Sequence, residues 1–114
     1  MPECLFCRIV AGEVPADRVA ETDGALAFRD INPQAPTHVL VIPKAHFDNA
    51  AQLSRHDAEL LAEVFRLAAQ VAEDEGVAET GYRLLTNTGD AAGQTVHHLH
   101  VHALGGRSMG WPPG

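Results

Sequence analysis

The chain has 114 residues, 46% of them apolar, and we expect residues 1–114 to form a single domain with its own core. The formal charge of −7 argues against nucleic acid as a partner, because a uniformly acidic surface repels phosphate backbones, although one small nucleotide in a local pocket stays compatible with it. The sequence contains neither a membrane-length apolar run nor a signal peptide pattern, so we expect a cytoplasmic protein without membrane association.

The N-terminal segment carries the two cysteines of the chain, Cys4 and Cys7, as one C-x-x-C motif. The apolar spacing over residues 3–11 predicts a short helix that stops at Gly12. A thioredoxin-like redox role is weakened because that motif normally follows a strand, and only three residues precede Cys4. The spacing also fits half of a zinc site, which needs two further ligands from elsewhere in the chain.

Three short strands are predicted next. Residues 17–22 and 25–30 flank Asp23-Gly24, and this dipeptide between apolar runs is typical of a β-hairpin. The apolar, branched run 38–42 predicts a third, buried strand. Pro43 either ends that strand or lies at its edge.

One long helix is predicted to start at Leu53-Ser54. Ser54 is a preferred N-cap residue, and Asp57 three positions later gives a variant of the capping box. Gly76 is placed to end the helix. A helical stripe of apolar residues indicates the face that packs on the core: Leu60, Leu61, Val64, Leu67, Ala68 and Val71.

A fourth strand over residues 82–86 and a Gly- and Asn-rich loop over residues 87–94 lead to three alternating histidines, His98, His100 and His102. In a strand, successive side chains point to opposite faces, so three imidazoles would share one face and an apolar row the other. The alternatives are a solvated polar face, a chance cluster or an expression tag. We interpret the row as functional, because imidazole serves as nucleophile, acid, base or metal ligand near neutral pH.

The predicted element order is β-β-β-α-β-β with hairpin-like connections. Such an order favours an antiparallel sheet within an α+β domain.

Residues 98–104 resemble the His-φ-His-φ-His-φ-φ signature of the histidine triad superfamily, where φ is apolar. The resemblance extends over nearly the whole chain and points to the Hint branch, on segments 30–31, 33–38, 41–44, 93–94 and 105–114. It implies a HIT-like fold, with a five-stranded antiparallel sheet, one long helix and a short N-terminal helix.

The resemblance assigns catalytic roles to four histidines. His100 would be the nucleophile that forms a nucleotidyl-histidine, and His102 would contact the phosphate or pass a proton. His38 would orient the row from a neighbouring strand, and His98 is the first member of the triad.

Nucleotide contacts are implied in the same way. Asp30 and Ile31 would hold the ribose and the base, although Asp30 alone is typical of a turn residue. The phosphate side would be formed by Asn87, Gly93, Gln94 and Thr95. Thr95 replaces the serine usual in the Hint branch. Trp111 would reach the nucleotide site of the other subunit in a homodimer paired along the helix and central strands; a mobile, exposed tail is the alternative.

A structural zinc ion is implied for members with a C-x-x-C near the start. Its ligands here would be Cys4, Cys7, His46 and His98, a Cys₂His₂ set that suits a closed tetrahedral site. The alternative is a reduced, empty site in which His98 is only hydrogen-bonded.

The implied function is that of a purine nucleoside phosphoramidase, which cleaves AMP or GMP conjugates at the α-phosphorus and needs no cofactor for the chemistry. Two alternatives stay open. One is dinucleoside polyphosphate hydrolysis or nucleotidyl transfer, although His102 is present where the transferase branch usually has glutamine. The other is a zinc-stabilised nucleotide-binding or interaction module without turnover, to which a nucleophile at His100 would bring little.

Overall fold

One five-stranded antiparallel sheet organises the protein, whose computed structural model describes residues 4–114. The strand order is β1-β2-β3-β5-β4, with strands β1 (Arg18–Glu21), β2 (Ala25–Arg29), β3 (Thr37–Pro43), β4 (Tyr82–Leu85) and β5 (Val101–Gly105). The helices are α1 (Leu5–Val10), α2 (Ala50–His56) and α3 (Ala58–Asp74), with a 3₁₀ turn at Asp90–Ala92. The predicted α+β class and antiparallel sheet are confirmed; residue 3, where the predicted first helix opens, lies outside the described residues.

The predicted hairpin at Asp23-Gly24 joins β1 to β2. The Thr22 N–H donates to the Ala25 carbonyl oxygen at 2.9 Å, which closes the two-residue turn. The Gly24 N–H and the Thr22 hydroxyl both donate to the Glu63 carboxylate on α3. These two hydrogen bonds lower the pKa of Glu63, because they stabilise its charged form.

Strands β2 and β3 are buried on both faces, as the continuous apolar run of the third strand predicts. Helix α3 covers one face through Val64, Leu67, Ala68 and Val71. Phe6 and Ile9 of α1 pack on the other face, together with Leu26, Phe28, Leu40 and Ile42. The short α1 therefore covers sheet surface that would otherwise be exposed.

The start of the long helix differs from the prediction. Asp57, not Ser54, is the N-cap of α3, since its Oδ1 accepts the Leu60 N–H at 3.1 Å. Ser54 lies inside a separate helix, α2, which Asn49 caps, and its hydroxyl donates to the Ala51 carbonyl. Both Ser54 and Asp57 are good caps by composition, so the local sequence alone does not choose between them.

The core face and the end of α3 follow the prediction. Gly76, at φ +78°, donates its N–H to the Glu73 carbonyl, and the Val77 N–H donates to the Ala72 carbonyl. This pair of bonds is a Schellman motif, in which glycine supplies the left-handed residue. Among the helices of residues 4–114, none is both long and apolar enough to cross a membrane.

Residues 98–102, called the histidine segment below, form a strand only in part. Strand β5 begins at Val101, so His102 lies within it while His98 and His100 precede it. The Leu99 N–H donates to the Phe47 carbonyl at 2.7 Å instead of to a neighbouring strand. The predicted strand over all three histidines is therefore wrong at its start, although the apolar back face of Leu99, Val101 and Ala103 is buried as expected.

Candidate functional site

A cavity of about 430 Å³ lies between α1 and the sheet, within the range of small-molecule sites. Its walls are mainly apolar, with Leu5, Phe6 and Ile9 on one side and Phe28, Leu40 and Val96 on the other. Five of the side chains predicted from the sequence line it: Asp30, Ile31, Thr95, His100 and His102. The cavity combines an apolar interior with a few polar groups.

His100 is held in one tautomer. Its Nδ1 lies 2.8 Å from the His98 carbonyl oxygen, which can only accept, so Nδ1 carries the proton and Nε2 has a free lone pair in the neutral ring. Across residues 4–114, no group hydrogen-bonds to this Nε2, whereas every buried side-chain nitrogen or oxygen has a partner. Nε2 is therefore not buried, and its lone pair faces the cavity that His100 lines. The Thr86 hydroxyl donates to the His100 carbonyl at 2.8 Å and fixes the backbone.

A chain of donors fixes the tautomer of His102. The Gln34 N–H donates to Nδ1 of His38 at 3.0 Å, so a neutral His38 carries its proton on Nε2. That Nε2 lies 2.9 Å from Nδ1 of His102, which must accept. His102 then has its own proton on Nε2. Its ring centroid is 5.1 Å from that of His100, so a lone pair and an N–H donor stand side by side in the cavity.

Burial favours the neutral rings of His102 and His38. It lowers the pKa of His102 to about 4, and the neighbouring His100 and His38 add to the effect, while the Asp30 carboxylate opposes it. Burial also lowers the pKa of His38, against the pull of Asp30, whose Oδ2 is 3.4 Å from the His38 Nε2. Neutral rings near pH 7 are what the donor chain requires.

The four predicted metal ligands come together beside this cavity. Their candidate ligand atoms all lie within 4.8 Å of one another: Sγ of Cys4 and Cys7, and one ring nitrogen each of His46 and His98. The His98 Nδ1 is 3.3 Å from the Cys4 Sγ and 3.5 Å from the Cys7 Sγ. The His46 Nδ1 is 3.3 Å from the Cys7 Sγ.

Both ring protons in this cluster are directed away from its centre. The His98 Nε2–H donates to the Pro43 carbonyl at 2.8 Å, and the His46 Nε2–H donates to the Asp48 carboxylate at 3.1 Å. The two Nδ1 lone pairs therefore converge with the two sulfurs, which is how outer partners orient metal-binding histidines. Burial lowers the pKa of His98 to about 4 and so favours the neutral, ligating ring. The chemistry of this donor set fits zinc.

Four other residues predicted to contact the nucleotide do not line the cavity. The Gln94 side chain is turned into the loop, where it accepts from the Gly89 N–H and donates to the Asp48 and Val96 carbonyls. Asn87 and Gly93 lie in the same loop, and Trp111 is 83% exposed in the tail. Gln94 thus connects the loop to the segment that carries His46.

Helix α1 is the part of the cavity that the sequence reasoning did not assign. Phe6 makes edge-to-face contacts with His100 and His98, at centroid distances of 5.1 and 5.9 Å. A signal was present: a strand that is apolar on both faces, as β3 is, needs a second cover, and residues 3–11 are the remaining amphipathic segment. Nothing in the sequence pattern indicates that Asp48 hydrogen-bonds to His46 and orients its ring.

The chain is similar to known proteins over most of its length. A model of the HIT domain matches residues 11–109. The purine nucleoside phosphoramidase of Escherichia coli is 45% identical over 108 residues, covering 95% of this chain and 91% of that protein. The 14 kDa zinc-binding protein of Zea mays is 46% identical, covering 96% and 87%. A solved HIT family hydrolase from Legionella pneumophila has a TM-score of 0.94 at 52% identity, covering 98% of this chain and 100% of that one.

Proposed function

Because the chain belongs to the HIT domain family, as the match over residues 11–109 shows, we propose that it is a nucleotide hydrolase of the purine nucleoside phosphoramidase type. It would cleave the P–N bond of AMP or GMP conjugates through a covalent intermediate on His100. One observation carries the proposal: the tautomer of His100 leaves an Nε2 lone pair facing the cavity. The similarity to a protein named purine nucleoside phosphoramidase supports the choice of substrate class.

The cavity has a place for each part of a nucleotide. The apolar walls formed by Phe6, Ile9 and Phe28 suit a purine ring, which buries a large flat surface. Asp30 lies on the lining, and its two carboxylate oxygens suit the ribose hydroxyls. A base and a ribose bound in this way would bring the α-phosphorus next to His100 and His102, which line the same cavity.

In the first step, the His100 Nε2 lone pair attacks the α-phosphorus. A P–Nε2 bond forms while the P–N bond to the leaving amine breaks, and the leaving nitrogen takes the electron pair and a proton from water. The His102 Nε2–H donates to a phosphoryl oxygen, where negative charge accumulates. The His98 carbonyl stabilises the positive charge that the His100 ring gains on attack.

In the second step, the hydroxide left by that water attacks the same phosphorus. The P–Nε2 bond breaks, its electron pair returns to the His100 ring, and AMP or GMP is released. Dividing the displacement in two lets each half use a group held in place by the fold. His38 acts here as a positioning residue, since it holds the His102 ring through Nδ1.

Zinc is the metal that Cys4, Cys7, His46 and His98 would hold, and when bound it supplies a structural cross-link rather than a step in the chemistry. The convergence of four ligand atoms supports this part of the proposal, as does the similarity to a protein named for zinc binding. Metal analysis of the purified protein should find one zinc per chain. A Cys4→Ser, Cys7→Ser double variant should lose that zinc.

We also propose that the protein acts in the cytoplasm as a homodimer, in which Trp111 of each copy reaches toward the nucleotide site of the other. The exposure of Trp111 in one chain, at 83%, supports a role for a second copy in covering it. Sedimentation analysis should give twice the chain mass. Trp111→Ala should then lower the affinity for the nucleotide without changing the fold.

Rapid-quench mass spectrometry with an adenosine phosphoramidate tests the mechanism. Wild type should gain one adenylyl group and lose it again within a turnover, and His100→Ala should show neither the adduct nor turnover while still binding AMP. His56→Ala removes an exposed histidine from α2 and is the matched control, which should behave as wild type. Full turnover by His100→Ala would refute the covalent mechanism. Binding without turnover in wild type would favour a different substrate or a binding module.

A further inference from the structure

His98 takes part in two separate sets of contacts. Its ring lies in the cluster with Cys4 and Cys7, at distances of 3.3 and 3.5 Å from their sulfurs. Its backbone carbonyl accepts the hydrogen bond from the His100 Nδ1 at 2.8 Å. Residues 98–100 precede β5 and are not paired with a neighbouring strand. A shift of the His98 ring would therefore also move the His98 carbonyl that orients His100.

Helix α1 joins the same cluster to the opposite wall of the cavity. Cys4 caps the helix and Cys7 lies within it, while Leu5, Phe6 and Ile9 line the cavity. The helix has six residues, and a helix of that length is not stable without tertiary contacts. Apart from the cysteines, it is held by the packing of Phe6 and Ile9 and by the Arg18 guanidinium, which donates to the Ile9 carbonyl at 2.7 Å.

We propose that metal binding at the cluster and nucleotide binding in the cavity are thermodynamically linked. A metal on Cys4, Cys7, His46 and His98 holds both α1 and the His98 carbonyl in the arrangement that the nucleotide needs. The proposal rests on the proposed function only in taking a nucleotide as the occupant of the cavity. It goes further because it makes the C-x-x-C motif a positioning element of the nucleotide site, and not only a stabiliser of the fold.

Linkage of this kind is reciprocal: if zinc raises the affinity for AMP by some factor, AMP must raise the affinity for zinc by the same factor. A coupling of ordinary size would give roughly a 5- to 150-fold change in each. A cluster that only stabilises the fold would leave AMP affinity unchanged in chains that remain folded. The two roles therefore differ in a binding measurement that needs no turnover.

The experiment measures both halves of the linkage on the wild-type chain. AMP binding is followed by calorimetry before and after zinc removal, and zinc affinity is measured by chelator competition with and without AMP. The ¹⁵N spectrum of the imidazoles adds a direct readout, since the Nδ1–H tautomer of His100 should be lost from the zinc-free protein. Arg8→Ala is the matched control on α1. The exposed Arg8 side chain pairs with Glu13 and does not line the cavity, and its backbone hydrogen bond to the Cys4 carbonyl is kept in the variant, so the linkage should equal that of wild type.

His46→Gln provides a second route if the zinc-free chain or a cysteine variant fails to fold. It removes the ligand that lies outside both α1 and the histidine segment, so zinc should bind more weakly, and AMP affinity should follow the zinc concentration until the site is full. Equal AMP affinity with and without zinc, or no zinc binding at all, would overturn the proposal. A failed nucleotidyl adduct in zinc-loaded wild type with the linkage intact would overturn the proposed function instead.

Discussion

The Nε2 of His38 lies 2.9 Å from the Nδ1 of His102, and this single hydrogen bond decides which nitrogen of His102 faces the cavity. His38 is itself fixed by the Gln34 N–H, which needs an acceptor at Nδ1. The proton of a neutral His102 is thus placed on Nε2 by a backbone N–H, that of Gln34, which does not line the cavity.

The low pKa of His102, about 4 against an ordinary 6.5, predicts how stability depends on pH. Between these two values the unfolded chain binds a proton on this residue that the folded chain does not, so the free energy of unfolding should fall as the pH drops through that window. The groups facing the ring are His100, His38 and Asp30. When urea unfolding is measured from pH 7 down to pH 4, the free energy of unfolding should depend less steeply on pH in His102→Asn than in wild type. Equal slopes would contradict the assignment.

Thr86 tests how firmly the backbone of His100, the proposed nucleophile, must be held. Thr86→Val keeps the shape but removes the hydroxyl that donates to the His100 carbonyl at 2.8 Å, which should cost about 1 kcal/mol of stability and slow turnover. Thr86→Ser keeps the donor and should stay near wild type. The measurements are urea unfolding and steady-state kinetics. If the valine and serine variants behave alike, the hydrogen bond has no role in positioning His100.

Gln94 is predicted to act through the loop that it organises. In Gln94→Glu the carboxylate can still accept from the Gly89 N–H, but it has no proton for the carbonyls of Asp48 and Val96. Because Gln94 is buried, at 6% exposure, the loss should be roughly 1–3 kcal/mol in the free energy of unfolding. The same change at the exposed Gln70, whose amide donates to the Asp74 carboxylate at 3.0 Å, should cost only about 0.2–0.5 kcal/mol. A Gln94 variant as stable as the Gln70 variant would contradict this role.

Gly105 is predicted to be needed in β5 because Val77 leaves no room for a side chain at this position. A Cβ at this position would lie 2.8 Å from the Cβ of Val77, so Gly105→Ala should cost about 1–3 kcal/mol through overpacking. Val77→Ala removes the Cγ atoms of that contact, and Gly105→Ala should cost less in its background. A double-mutant cycle by chemical denaturation measures the difference. Additive effects would show that the two side chains do not compete for the same space.

The local pattern predicts the strands and the helix stripe well, and fails where two local signals compete. Asp23-Gly24 and Gly76 sit in tight, nearly self-contained motifs, and both lie where they were predicted. Ser54 and Asp57 are equally good caps, and the packing of α2 against α3 is not encoded within one turn of either residue. The alternation of histidines predicts a strand from His98. In the structure the Leu99 N–H donates to the Phe47 carbonyl instead of to a neighbouring strand, and β5 begins only at Val101.

The sequence by itself determined the chemical repertoire of this protein: an alternating histidine row, a C-x-x-C motif and an antiparallel α+β sheet. These are properties of residue type and short-range spacing. Only the tertiary structure decided which nitrogen of each histidine is free and which wall closes the cavity. Those outcomes depend on partners that are distant in the chain. Cys4 and His98 are 94 positions apart, yet the Cys4 Sγ lies 3.3 Å from the His98 Nδ1. A hydrogen bond to a remote carbonyl or backbone N–H fixes a tautomer, and no local pattern encodes it.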